Sequence, residues 1–135
     1  MVYNISEQKR YNTVIMVGTI YRMQTSTDEN NYKLLKMLEH VYQYPQVSLM
    51  ITCDFNMPEI NYNDFSVQGQ DSTYAANLFD KTKDLFLIQN VLETTRFRGT
   101  QHPSRLDYIF TNEEDILDDL RYMTPLGKSD HVELL

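Results

Sequence analysis

Apolar positions along the chain fall into unbroken runs and into stripes with helical spacing. Val14-Ile15-Met16-Val17-Gly18-Thr19-Ile20-Tyr21 is continuous and rich in β-branched residues, which predicts a strand buried on both faces. Thr25-Ser26-Thr27-Asp28-Glu29 offers a helix start, with Ser26 and Glu29 at capping-box spacing. The helix that follows carries Leu34, Leu35, Leu38, Val41 and Tyr42 on one side and ends before Pro45. Residues 47–53 form a second buried strand, and Asp71-Ser72-Thr73 opens a second helix with Tyr74, Leu78, Leu85 and Phe86 spaced to face a core. Residues 86–91 fit either an extension of that helix or a short strand. Residues 105–111 read as a strand, 113–119 as a helical turn, 120–123 as a strand and 131–135 as the start of another. A strand at residues 2–5 is expected, with Ser6-Glu7-Gln8-Lys9-Arg10 as a polar turn. Alternating strands and helices place the chain in the α/β or α+β class, with helices covering a sheet.

Composition bounds this picture. At 135 residues the chain has the length of one domain, and 41% hydrophobic with 23% charged residues excludes a disordered or fibrous class. The longest apolar run falls well short of the roughly 20 residues of a membrane-spanning helix. The first residues lack a basic region followed by an apolar one, so no secretory signal or membrane association is expected. A single cysteine, Cys53, excludes an internal disulfide framework and fits a reducing intracellular compartment, nuclear or cytoplasmic. The net charge of -7 argues against gripping nucleic acid by bulk electrostatics. It does not exclude an acidic site bridged to phosphate by a metal ion.

Three places put polar groups where chemistry can use them. Asp54 and Asn56, in Cys53-Asp54-Phe55-Asn56, follow a buried strand and in extended backbone project to one side. They would suit a metal-bound water or a phosphate oxygen; the competing explanation is an Asx turn before Pro58. Asp107 lies on an apolar strand with Ile109 on its face, so it should be partly buried and needs a partner. A histidine is a natural one, because a carboxylate fixes the imidazole tautomer; backbone N–H groups or an arginine would serve equally. In Ser129-Asp130-His131, the histidine enters a strand beside an acid, a setting for a general base, a phosphate contact or a plain turn. His40 and His102 read as surface residues, and no nucleophile elbow supports a serine hydrolase. Between Thr94 and Leu106 the chain has Arg96, Arg98, His102 and Arg105 and no acid, a basic stretch that would contact phosphates or stay solvated.

Ile20-Tyr21-Arg22, Asp54-Phe55-Asn56, Arg105-Leu106-Asp107-Tyr108 and Ser129-Asp130-His131, in this order, resemble the endonuclease/exonuclease/phosphatase superfamily. More narrowly, Tyr21-Arg22, Thr95-Arg96, the run Arg105 through Asn112, and Leu126-Gly127-Lys128-Ser129-Asp130-His131 look like the endonuclease domain attached to reverse transcriptases of non-LTR retrotransposons. The resemblance implies a metal-dependent phosphodiesterase within a four-layer α/β sandwich of two facing sheets. It implies that Asp54 orients or deprotonates water and that Asn56 holds the phosphate or that water. Asp107 would orient His131 at the scissile phosphate, Asp130 would help place the metal, and Tyr21 would lie near the phosphate or leaving group. Asp54, Asn56 and Asp130 would hold Mg²⁺ or Mn²⁺, which suits an oxygen-rich site, with Arg96, Arg98 and Arg105 on DNA. A reverse transcriptase domain in a longer parent protein is implied as a partner.

Two departures qualify the match. Cys53 stands where the family has glycine, and no early asparagine or metal-binding glutamate precedes Tyr21, Glu7 being a poor substitute. Residues 1–135 are therefore expected to be the C-terminal half of such a domain, with an exposed apolar sheet face where its partner would pack. A DNA-nicking endonuclease is the leading expectation. A phosphatase or phosphodiesterase with another substrate, and an inactive remnant or interaction module of the same fold, are the alternatives.

Overall fold

A computed structural model describes residues 2–10 and 13–135. In chain order the elements are β1 (Val2–Arg10), β2 (Thr13–Tyr21), α1 (Asp28–Tyr42), β3 (Ser48–Asp54), β4 (Ile60–Asn61) and β5 (Ser66–Val67). There follow α2 (Tyr74–Asp84), β6 (Ile88–Gln89), β7 (Asp107–Thr111), a single 3₁₀ turn (Glu114–Ile116), β8 (Tyr122–Met123) and β9 (Glu133–Leu134). Among the described residues the main sheet has five strands in the order β1-β2-β3-β7-β6. β2 and β3 run parallel, joined by α1 as the crossover, and the other pairs are antiparallel. The class is α/β, as the alternation of patterns predicts.

The register sorts the strands' side chains into two faces. Gly18, Ile51 and Phe110 are aligned across β2, β3 and β7, as are Ile20, Cys53 and Tyr108. The side chains of Ile20, Ile51, Cys53, Tyr108 and Phe110 meet Leu34, Leu38 and Val41 of α1 and Ala75, Leu78 and Phe79 of α2 in one buried core. Tyr62 closes it, stacking edge-on against Tyr108 and Phe110 and bonding its hydroxyl to Thr82 at 3.0 Å. The other face carries Thr19, Thr52 and Ile109 in one row and Tyr21, Asp54 and Asp107 in the next. That face is an open cleft of about 390 Å³, bounded by Val132 and Leu134.

Several expectations change. β2 is not buried on both sides: Thr19 is exposed and Tyr21 is 46% exposed, because among the described residues only β9 and its approach lie over that face. The polar turn expected at residues 6–10 is strand, with β1 pairing along β2 as far as Arg10 opposite Thr13 and with Glu7 opposite Met16. An edge strand is held by its backbone ladder and tolerates polar residues that a pattern reading takes for a turn. The first helix is capped by Thr27, whose hydroxyl accepts from Asn30 N–H at 3.3 Å, one residue beyond the expected Ser26. Phe86 does not face the core: it is 77% exposed at φ +52°, where the chain leaves α2 for the short strand β6.

Glu39 of α1 bonds Lys81 of α2 at 2.5 Å and Lys36 at 2.8 Å, tying the two helices together. Leu34 is fully buried between them and the sheet. Leu34→Ala is expected to cost about 2–5 kcal/mol, measured by urea denaturation of the two proteins. The two lysines hold the Glu39 carboxyl down to about 2, below its ordinary 4.5. Its stabilising contribution is therefore full above pH 4.5 and is lost as pH falls toward 2. Glu39→Gln is expected to flatten that part of the dependence of Tm on pH.

Candidate active site

Asp54 is the last residue of β3, and Asp107 is the first of β7 and its cross-strand partner. Like charges directly opposite one another repel. Burial, and then the charge of Asp107, raise the Asp54 carboxyl above its ordinary value, against the Asn56 N–H that stabilises its charged form. A hydrogen-bond partner arrives from the far end of the chain: His131 Nδ1 lies 2.8 Å from Asp107 Oδ2. A carboxylate can only accept, so Nδ1 carries the hydrogen and donates it. Asp107 is thus partly buried and partnered by a histidine, as its place on an apolar strand suggests.

His131 reaches Asp107 because residues 95–97 form a rail between two other segments. Thr95 and Arg96 donate from backbone N–H to Ser104 O, at 3.0 Å each, on one side. On the other, Phe97 N–H donates to Asp130 O and Val132 N–H to Thr95 O, each at 2.7 Å. Ser129 Oγ accepts from His131 N–H at 3.1 Å and shapes the turn that leads in. Thr95 itself is fully buried, and its hydroxyl accepts from Leu106 N–H and Asp107 N–H at 3.2 Å each. It holds the start of β7 in place. Thr95 belongs to the Thr95-Arg96 pair of the family resemblance, but its residue type alone does not reveal this role.

The remaining candidates divide. Tyr21 borders the cleft beside Asp54. Asn56 does not project alongside Asp54 in extended backbone: it sits at φ +51°, its N–H donates to Asp54 Oδ1 at 3.0 Å, and its Nδ2 donates to Arg22 O at 2.8 Å. The Asx turn and the placement of the acid are one structure. Asp130 accepts from Arg96 Nε at 3.0 Å, with Arg98 3.9 Å away, and this pairing holds its carboxyl below the ordinary value. Its other oxygen lies 4.0 Å from His131 Nε2. Arg105 is committed elsewhere: it bonds Glu93 O at 3.0 Å, Leu92 O, and Asn63 Oδ1 at 3.2 Å, and so fastens loops together. Arg98 is the most exposed of the three arginines.

Asp54, Asp107 and His131 each offer one ligand atom, all within 4.8 Å of one another. Two adjacent carboxylates, one raised by burial and then by its neighbour's charge, fit a hard divalent cation that would relieve their repulsion. Asp130, already paired to Arg96, is less available to it. Burial of Cys53 raises its thiol well above the ordinary value and excludes it from the donor set.

The described residues thus form a mixed sheet with helices on one face, an α/β fold of the endonuclease/exonuclease/phosphatase type, and carry this carboxylate–histidine cluster at its strand ends. A family model described as endonuclease-reverse transcriptase matches residues 15–135, and the chain belongs to that family. The fold is similar to the endonuclease domain of TRAS1, a telomere-specific non-LTR retrotransposon, at a TM-score of 0.69 and 19% identity over 98% of this chain and 61% of that one. It is also similar to the catalytic domain of human nocturnin with bound sulfate, at a TM-score of 0.53 and 17% identity over 98% of this chain and 49% of that one. The chain thus spans roughly three-fifths of the first and half of the second. A comparison with curated protein sequences finds no match.

The Asp107–His131 bond has a direct readout. Two-bond ¹H–¹⁵N correlation spectra of neutral His131 should show hydrogen on Nδ1, and Asp107→Asn should lose that single tautomer in favour of a mixture.

Proposed function

We propose that the chain supplies the catalytic carboxylate–histidine cluster of a divalent-metal-dependent endonuclease that nicks DNA within a retrotransposon-derived protein. The observation that carries the reading is the 2.8 Å Asp107–His131 bond beside Asp54. Family membership and the fold shared with the TRAS1 endonuclease domain support it. The activity is proposed for the longer unit to which this chain contributes, since it spans only part of its neighbours' length.

In this reading a backbone phosphate enters the cleft at the row Tyr21, Asp54, Asp107. Asp54, with its raised carboxyl, orients a water and takes its proton as the water oxygen bonds to phosphorus and the phosphorus–oxygen bond to the leaving strand breaks. Asp107 keeps the hydrogen on His131 Nδ1 and aims the imidazole at the phosphate, where it supports the developing negative charge. Mg²⁺ or Mn²⁺, when bound, adds Lewis-acid stabilisation of that charge. Arg96 and Arg98 supply the positive edge for flanking phosphates. Asn56 acts by holding the Asp54 turn, and Asp130 by setting Arg96.

Nicking of supercoiled plasmid with added Mg²⁺ tests the reading on two proteins, the chain as it stands and the chain joined to its upstream coding sequence. Nicking by either, reduced by about 10²–10⁴-fold in Asp54→Ala and His131→Ala, is the expected result. Activity only in the longer protein assigns this chain to part of an enzyme. Its absence from both overturns the reading in favour of an inactive module of the same fold.

A further inference from the structure

Directly behind the Asp54 turn lies a buried charge. Arg22, the residue after β2, is only 6% exposed. No carboxylate pairs with it among the described residues, and burial lowers its readiness to hold a proton. A guanidinium in such a place costs stability unless its donors are used. Its Nε donates to Asn31 Oδ1 of α1 at 2.9 Å, and its plane lies over the ring of Tyr74, the first residue of α2, 5.1 Å from the centroid. Its Nη1 donates to Phe55 O at 3.2 Å. The Arg22 backbone completes the set: N–H donates to Asp54 O at 2.9 Å, and the carbonyl accepts from Asn56 Nδ2 at 2.8 Å.

Arg22 therefore bonds to Asp54, Phe55 and Asn56, three consecutive residues, through its N–H, its guanidinium and its carbonyl. Those residues lead the chain out of β3 beside the cleft, with Asn56 at φ +51°, a left-handed state that asparagine tolerates better than other residues with a side chain and that still has to be held against the extended alternative. The bend in turn directs Asn56 N–H onto Asp54 Oδ1. Phe55 is fully buried, so the peptide that Arg22 grips cannot swing outward. Asn31, itself buried and anchored by its N–H to Thr27 O, aims the guanidinium.

We propose that Arg22 is a positioning residue: aimed by Asn31, it fixes the left-handed turn at Asn56 and so the placement of the Asp54 carboxylate. Its bearing on catalysis rests on the reading of Asp54 given above; its hold on the turn does not. Lysine preserves the charge but cannot span Asn31 Oδ1 and Phe55 O with one planar group. Arg22→Lys and the milder Asn31→Ala are compared with Leu38→Ala, a core change on the same helix that touches none of these bonds.

Two measurements on the full chain separate the parts. Backbone and side-chain NMR should show the left-handed Asn56 signature and its protected side-chain amide lost in Arg22→Lys, weakened in Asn31→Ala and kept in Leu38→Ala. Mn²⁺ titration, followed by water-proton relaxation on the folded fraction, should show affinity about 10–100-fold weaker in Arg22→Lys and unchanged in Leu38→Ala. An Asn56 signature intact in Arg22→Lys overturns the proposal, as does equal loss in Leu38→Ala. A wild-type chain that binds no Mn²⁺, while Arg22→Lys still loses the turn, sinks the metal-site reading and upholds the hold of Arg22 on the turn.

Discussion

Two carboxylates held abreast at the end of a sheet set the terms for everything around them. The parallel pairing of β2 with β3 and the antiparallel pairing of β3 with β7 place Asp54 opposite Asp107 by register alone. Core packing enforces that register, since a one-residue slip would turn Ile51, Cys53, Tyr108 and Phe110 out of the helix-covered core. The hydrophobic effect thus holds together two groups that electrostatics would separate. The chain answers locally with the Asn56 N–H on Asp54 and the His131 ring on Asp107. The rail at residues 95–97 exists structurally to deliver that ring.

Much of this was legible in the residues, for identifiable reasons. β2, β3, α1 and α2 carry enough apolar positions for period and length to speak, and Pro45 and the Thr-rich starts mark their limits. Asp107 was legible because a charge on an apolar strand must find a partner. β1 was underread because its stability lies in backbone pairing with β2, which side-chain pattern does not record. The two-residue strands β4 and β5 have too few positions to show any period.

At the site, residue type was a better guide than residue role. Arg22 and Arg105 both belong to recognised motifs, and composition alone makes arginine near a phosphate site a candidate contact. Geometry gives them other work: Arg22 is buried behind the Asp54 turn, and Arg105 ties residues 92–93 to Asn63. Asp130, expected at a metal, instead pairs with Arg96 and sets where that guanidinium stands. The acidic excess of the chain therefore coexists with a cleft whose acids are largely answered by named partners.

The site is also long-range in the chain. Its central bond joins residues 24 apart, and the register beneath it joins positions 54 and 107. Such contacts close late, because loop entropy must be overcome before they contribute. Residues 129–132 reach the body through a few backbone bonds to the rail, the Asp130–Arg96 pair and the His131 ring. This makes the segment a natural place for sub-global opening, in which the sheet and helices stay folded while Asp107 loses its histidine partner. Amide exchange at His131 and Val132 would then report a free energy well below that of β3, so the carboxylate–histidine cluster comes apart at a smaller cost than the fold itself.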